Sequence, residues 1–213
     1  MSNRLEEKFI LSTLDKNDFL LENYYQLIHD YEALKFNNSY IYQVNSMYFD
    51  TPTMESYNQK VNGEKYKYKL RLRDYADQNY FLELKLKEGH LGSKVRVKFK
   101  DMDSSYQEIL KILGPSSIAH FNLPLNVNSF HKTLFVSYTR EAYRILGSED
   151  VKINFDSDIV VRNPQSIESR RLSYDSILEI KYSSDINKKF FNLRPYKTEF
   201  SKYQRGVEDV YSL

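Results

Sequence analysis

Strict alternation dominates the middle of the chain. From Lys65 to Asp74 the sequence runs K-Y-K-Y-K-L-R-L-R-D, so Lys65, Lys67, Lys69, Arg71 and Arg73 are separated by Tyr66, Tyr68, Leu70 and Leu72. Successive side chains leave a strand on opposite faces, and this segment therefore predicts a strand with one cationic face and one packable face. Tyr80 to Gly89 repeats the pattern, with Glu83, Lys85 and Lys87 alternating with Leu82, Leu84 and Leu86. Gly92 to Lys100 repeats it again, with Lys94, Arg96, Lys98 and Lys100 alternating with Val95, Val97 and Phe99. Gly89-His90-Leu91-Gly92 reads as a short hairpin loop between the last two strands. A lysine-rich exposed face that discourages edge pairing accounts for one such strand. Three in succession predict a curled sheet with either a basic outside or a basic lumen, because like charges side by side repel unless something neutralises them. A basic lumen calls for an anionic guest, and polyphosphate chemistry supplies one.

The flanking segments predict further strands and a few helices. Arg4 to Leu11 places Leu5, Phe9 and Leu11 on one face and Arg4, Glu6 and Lys8 on the other. Asp15 reads as an N-cap, with helical spacing through Phe19, Leu20, Tyr24, Leu27, Ile28 and Tyr31 to about Leu34. Tyr40 to Asp50 reads as a strand ending at Thr51-Pro52, followed by a short helix from Thr53 to about Val61 that Asn62-Gly63 stops. A helix is expected over Asp103 to Leu113, then a mixed connection over 116–130. Strands follow at Lys132 to Arg140, with a continuation over Glu141 to Leu146 after a bend, at Val151 to Asp158 and at Ser173 to Tyr182. The segment from Phe190 onward predicts a short helix or loop. No linker or internal repeat divides the chain, so residues 1–213 read as one domain.

Composition narrows the chemistry. Lys and Arg number 31 against 29 Asp and Glu, a net charge of +2, so the basic pattern is a matter of placement and not of bulk. That argues against sequence-blind nucleic-acid binding, and no nucleic-acid partner is expected. The absence of cysteine removes disulfides, thiolate metal sites and cysteine nucleophiles together. No apolar run is long enough to span a bilayer and no signal-peptide core is present, which predicts a soluble, cytoplasmic protein. There is no phosphate-binding glycine loop of the P-loop or Rossmann kind, no G-x-S-x-G, and no zinc spacing among His29, His90, His120 and His131. Glu6, Glu83, Asp156 and Glu179 share the charged faces of their strands. Each alone reads as a salt-bridge partner; together they fit a hard divalent cation that bridges phosphate oxygens.

Several short motifs occur in order: E-E-K at Glu6 to Lys8, S-M-Y-F-D-T at Ser46 to Thr51, R-L-R at Arg71 to Arg73 and L-E-L-K at Leu82 to Lys85. Y-T-R at Tyr138 to Arg140, L-E-I-K-Y at Leu178 to Tyr182 and F-S-K-Y at Phe200 to Tyr203 complete the series. The chain thereby resembles the VTC domain, the polyphosphate polymerase domain of the vacuolar transporter chaperone family, within the triphosphate tunnel metalloenzymes of the CYTH-like superfamily. The resemblance implies an α+β fold: an antiparallel eight-stranded β-barrel forming a tunnel, with flanking helices. It implies transfer of the γ-phosphate of ATP to a growing polyphosphate chain, assisted by Mn²⁺ or Mg²⁺. Carried over by motif, Lys8, Arg71, Arg73, Lys85, Arg140 and Glu179 form the catalytic set. Lys69, Lys87, Lys94, Arg96, Lys98, Tyr138, Lys152, Lys181 and Lys202 line the phosphate path, and Glu179, Glu83 and Glu6 hold the metal.

The sequence departs from the family pattern at three points. Arg4 replaces the first acid of the superfamily's E-x-E-x-K, Lys152 stands where arginine is usual, and Glu199 replaces a lysine before F-S-K. No SPX-type regulatory domain or membrane segment is read in these residues, so a separate membrane protein would supply any pore for translocation. Two other readings share the lumen. With water as acceptor it is a triphosphatase or polyphosphatase, and without turnover it is a polyphosphate-binding module.

Overall fold

The computed structural model describes residues 4–31, 33, 39–75, 79–89, 91–99, 129–183 and 196–213. The helix expected over Asp103 to Leu113, the connection up to residue 128, the first residues of the segment beginning at Phe190, and His90, Lys100 and His120 lie outside them. Eight long strands carry the fold: β1 (Arg4–Leu11), β3 (Ile41–Asp50), β4 (Tyr66–Tyr75), β5 (Asn79–Glu88), β6 (Leu91–Phe99), β7 (His131–Ile145), β8 (Ser148–Arg162) and β10 (Ser176–Ser183). Three short strands, β2 (Leu27–His29), β9 (Arg170–Arg171) and β11 (Lys197–Thr198), pair at their margins, and α1 (Thr13–Glu22), α2 (Glu55–Val61) and α3 (Lys202–Tyr211) complete the described elements. The order across the sheet is β11-β1-β10-β8-β7-β3-β4-β5-β6, with β2 on β7 and β9 on β8.

Every pairing is antiparallel, and the register carries the alternation from strand to strand. Ser46 faces Arg73 across β3–β4, Arg71 faces Glu83 across β4–β5, and Glu83 faces Arg96 across β5–β6. On the other side of the sheet Arg140 faces Asp156, Glu179 faces Asn154, and Lys8 faces Glu179. The charged residues of these pairs therefore share one face. The sheet curls around that face until Lys85 Nζ on β5 lies 3.0 Å from Glu6 Oε2 on β1. No backbone pairing among the described residues joins β6 to β1 or β11, so the expected barrel is a curled sheet closed by side chains.

The opposite face is apolar. Tyr68, Leu70 and Leu72 of β4 pack with Leu82, Leu84 and Leu86 of β5, Phe49 and Phe130. A second cluster joins Phe9, Ile153, Phe155, Leu178 and Ile180 to Phe19 of α1. The third cluster lies on the charged face: Val44, Tyr48, Leu134, Val136 and Tyr138 receive Tyr203 and Val207 of α3. Thus α3 enters one end of the curled sheet and floors it. The approach is close because residue 206 is glycine; a Cβ there would stand 2.6 Å from Leu134 Cδ2 and 2.9 Å from Val161 Cγ1.

The first helix differs from expectation at both ends. Ser12, not Asp15, is the N-cap, and Asp15 is the acidic partner of a capping box: the Ser12 hydroxyl accepts from Asp15 N–H, and the Asp15 carboxylate accepts from Ser12 N–H. The helix stops at Glu22 instead of running to Leu34. Leu27–His29 leaves it to pair with Tyr143–Ile145, since β7 extends past the start of β3 and exposes backbone groups that a strand satisfies. The bend expected after Arg140 is absent, and β7 runs unbroken to Ile145.

Candidate functional site

The lumen has two walls and a floor. On the β4–β5–β6 wall, Glu83 is buried to 1 % exposure and draws four cations together. Arg71 donates to its Oε2 from Nε at 2.9 Å and from Nη2 at 2.7 Å, while Lys94 lies 3.1 Å, Arg96 3.5 Å and Arg73 3.8 Å away. Burial pushes the Glu83 carboxyl up, but Arg71, Arg73 and Lys94 outweigh it and hold the group well below the usual carboxylate range. Arg71 also donates to the Tyr48 hydroxyl at 3.1 Å and Arg73 to Ser46 Oγ at 3.2 Å, so neighbouring β3 fixes both guanidinium planes.

The β1–β10–β8–β7 wall repeats the device with different acids. Asp156, fully buried, takes a two-pronged contact from Arg140, Nε to Oδ1 at 2.6 Å and Nη2 to Oδ2 at 2.8 Å, and Lys202 Nζ meets the same Oδ2 at 2.5 Å. Glu179 pairs with Lys181 and lies 3.9 Å from Arg140. Glu6 sits between Lys8 at 3.2 Å and Lys85 at 3.0 Å. Burial and the nearby Glu179 raise the Glu6 carboxyl, yet Lys8, Lys85 and Lys181 bring it down to about 2. Burial likewise works against ionisation of Glu179, and Lys181, Lys8, Arg140 and Lys202 hold it well below the normal range.

The floor is the start of α3. Ser201 caps the helix through Gln204 N–H and accepts a 2.7 Å hydrogen bond from Lys69 Nζ. Burial, reinforced by Lys8, Lys85, Lys60 and Arg71, drives the Lys69 ammonium well below its ordinary pKa. Lys202 lies 4.6 Å from the centre of the Tyr138 ring. Burial raises the Tyr138 phenol, although Arg140 and Arg73 pull it the other way.

The sequence-predicted residues are thus distributed unevenly. Lys8, Lys69, Arg71, Arg73, Lys85, Arg140, Tyr138, Glu6, Glu83, Glu179 and Lys202 face the lumen together. Lys152 stands further toward the end away from α3, 3.8 Å from Asp30, which also holds Arg144 at 2.5 Å. Lys87 lies by the β5–β6 turn and Lys98 is exposed at the other end of β6. Glu199, which replaces the family lysine, is exposed and pairs with Lys60 at 3.3 Å. Sequence reasoning counted Asp156 among the charged-face acids without giving it a partner, and gave Asp50 no role. Asp156 was legible as an acid in the charged phase of its strand but has its effect through Arg140 and Lys202. Asp50 of the S-M-Y-F-D-T motif, also fully buried, accepts from the amides of Thr51 at 2.8 Å, Ser56 at 2.9 Å and Tyr57 at 3.1 Å. It further accepts from the Tyr203 hydroxyl at 2.5 Å, so this motif residue ties α2 to α3 beneath the floor.

A curled antiparallel sheet enclosing cations that converge from both walls defines a triphosphate-tunnel protein. The chain belongs to the VTC domain family, whose model matches residues 3–211. Solved structures of the same fold include a candidate adenylate cyclase from Vibrio parahaemolyticus, with a TM-score of 0.56 at 11% identity, covering 99% of this chain and 98% of that one. The PH1819 protein from Pyrococcus horikoshii is similar with a TM-score of 0.54 at 14% identity, covering 97% of this chain and 99% of its own. HpAC1 from Hippeastrum, a candidate adenylyl cyclase with a dominant triphosphatase activity, has a TM-score of 0.50 at 11% identity, covering 97% and 95%. No curated protein sequence matches the chain.

The tunnel family implies a divalent metal. Among the described residues no three His, Cys, Asp or Glu side chains gather into an all-protein cage. The donors present fit an ion held jointly by protein and substrate, since Mg²⁺ commonly takes one or two carboxylates together with phosphate oxygens. Glu179 is close enough to raise the Glu6 carboxyl, and the two would supply those carboxylates. Glu83 draws on a different set of cations, and its oxygens are engaged by four of them.

Proposed function

We propose that this chain is a metal-dependent phosphotransferase that moves the γ-phosphate of ATP onto a growing polyphosphate chain. The observation that carries the reading is the state of the lumen's acids: Glu6, Glu83, Asp156 and Glu179 are all held ionised well below neutrality. A general base works best with a pKa near the operating pH, so none of them is suited to activate water. An acceptor phosphate is already anionic and needs no base. Its terminal oxygen forms the new bond to the γ-phosphorus as the bond to the β–γ bridging oxygen breaks, and ADP leaves with that oxygen.

Arg71, Arg73 and Arg140 approach the reacting phosphoryl group from two walls. They neutralise its peripheral oxygens and align donor and acceptor, the main requirement in phosphoryl transfer. Lys8, Lys85 and Lys202 extend the path for the remaining phosphates. Glu179, with Glu6, would hold Mn²⁺ or Mg²⁺, which would supply further neutralisation of the phosphate charge. Hydrolysis is the second reading, and Lys69 favours it: burial and the surrounding cations push its ammonium below the ordinary range, the direction that a proton acceptor for water requires.

³¹P NMR of the protein incubated with ATP and either metal, stripped of metal before acquisition, separates the two. Internal-phosphate signals growing alongside ADP support synthesis. Orthophosphate without chain signals assigns the lumen to hydrolysis and rejects the proposal.

A further inference from the structure

One group of inner-face side chains is aromatic where the β4–β5–β6 wall is otherwise charged, and its tyrosines also pack against the inner cluster. At the end of the curled sheet away from α3, Tyr42 near the start of β3, Tyr75 at the end of β4 and Phe81 near the start of β5 come together. The Tyr42 and Tyr75 rings are 6.2 Å apart, and Tyr75 and Phe81 meet edge to face at 6.0 Å. The Arg96 guanidinium lies 3.5 Å from the centre of the Phe81 ring and 5.3 Å from that of Tyr75. Arg73 Nη1 donates to the Tyr75 hydroxyl at 3.3 Å. The register sets Phe81 directly opposite Arg73, one inward-facing position from the Arg71–Glu83 pair.

A wall made solely for a polyanion would carry cations here. Aromatic rings overlaid by a guanidinium instead form a surface for another flat π system, which stacks on rings and on arginine planes alike. Phe81 is 9% exposed, whereas 33% of the Arg96 side chain is, so Arg96 is the member that presents a face to an incoming ligand.

We infer that this collar takes the base of a nucleoside triphosphate, stacked on Arg96 over Phe81, while the phosphates run inward to Arg71, Arg73 and Arg140. The inference rests on the triphosphate reading of the lumen and adds a second recognition element to it. The collar distinguishes a nucleotide from a bare phosphate chain, so donor and acceptor differ in what they touch at this end.

The test compares the affinities of ATP and inorganic tripolyphosphate for the wild type, Phe81→Leu and Arg96→Lys, read as their ratio. The ratio cancels any general loss of phosphate affinity, and Arg96→Lys keeps the charge while removing the plane. The ratio should fall about tenfold in both variants, the effect of losing one stacked base. A fluorescent etheno-derivative of ATP should be quenched by stacking on the wild type and less so on Arg96→Lys. Ratios unchanged in both variants, with etheno-ATP fluorescence equally affected, would overturn the collar and leave these residues as packing around Tyr42 and Tyr75. A wild type that binds neither ligand would reject the triphosphate reading beneath it.

Discussion

Replacing Asp156 by asparagine tests whether the lumen is held together by its own acids. The substitution keeps the shape and removes the charge that fixes Arg140 and Lys202, whose contacts with it span 2.5 to 2.8 Å. Breaking a buried pair from one side leaves an uncompensated charge, which costs about 3–5 kcal/mol. Glu179, 3.9 Å from Arg140, takes up part of the freed charge and sets the expectation at the low end, about 3 kcal/mol. For a chain of this size each kcal/mol lowers the melting temperature by about 2–4 °C, so a fall of about 6–12 °C is expected. Tripolyphosphate should then stabilise the variant more than the wild type, because the ligand restores the missing negative charge. At a hundredfold excess over Kd a ligand adds about 2.7 kcal/mol, which sets the scale of the wild-type shift. Differential scanning fluorimetry with and without tripolyphosphate reads both quantities. A melting point within about 2 °C of wild type, or a ligand shift no larger than wild type's, would refute the account of Asp156 as an internal counter-ion.

Glu179→Gln should abolish metal-dependent turnover of ATP while leaving the thermal melt cooperative; phosphate-transfer assays with Mn²⁺ or Mg²⁺ that match wild type would remove Glu179 from the site. Gly206→Ala should destabilise the protein by about 1–3 kcal/mol in urea titration, since the added methyl meets Leu134 and Val161 inside contact distance. An unchanged midpoint would mean that α3 does not rest on the sheet as described. Tyr75 gives a pH signature. Burial raises its phenol, but Arg73 and Arg71 outweigh that and bring it down to about 8. The deprotonated phenol repels a polyanion, so the bound ligand favours the protonated form, and tripolyphosphate affinity should be full below pH 8 and decline above it. Calorimetry across that range should show the decline in wild type and lose it in Tyr75→Phe; the same slope in both proteins would assign the effect elsewhere.

The sheet was legible where its alternation is strict: a period of two over Lys65 to Asp74, Tyr80 to Gly89 and Gly92 to Lys100 leaves no helical alternative, and the charged phases of these strands meet on one face of the structure. β2 was not legible. Leu27, Ile28 and Tyr31 have helical spacing, and only the backbone groups left open on β7 beyond the start of β3 make Leu27–His29 a strand. The inner cluster was half visible, since Leu134 and Val136 share the phase of Tyr138 and Arg140, but nothing local says that α3 returns to cover them. Pairwise choices among the acids were illegible for the same reason. Cross-strand partners follow from register, and β7–β8 shifts register between Ser137 and Thr139, just before the Arg140–Asp156 pair. Phe81 left a trace that could have been used: it stands in the phase of Glu83, Lys85 and Lys87, where a wall serving only phosphate would place another charge.

The route by which the floor is assembled has a bearing on how this protein comes into being. Among the described residues the first strand finds its neighbours only in β10 and β11, with Lys8 set against Glu179 and Thr198, and α3 seats on residues made far earlier. Contacts so distant in sequence form slowly because a long loop must close before any of them is rewarded. During synthesis β1 therefore waits with both edges unpaired while more than half of the sheet is already available, a state open to wrong partners. The nascent chain has no floor, no Lys69–Ser201 contact and no complete second wall until residues 176–207 have emerged. The lumen is thus completed only at the last stage of synthesis, and an unfinished chain has no enclosed cationic path.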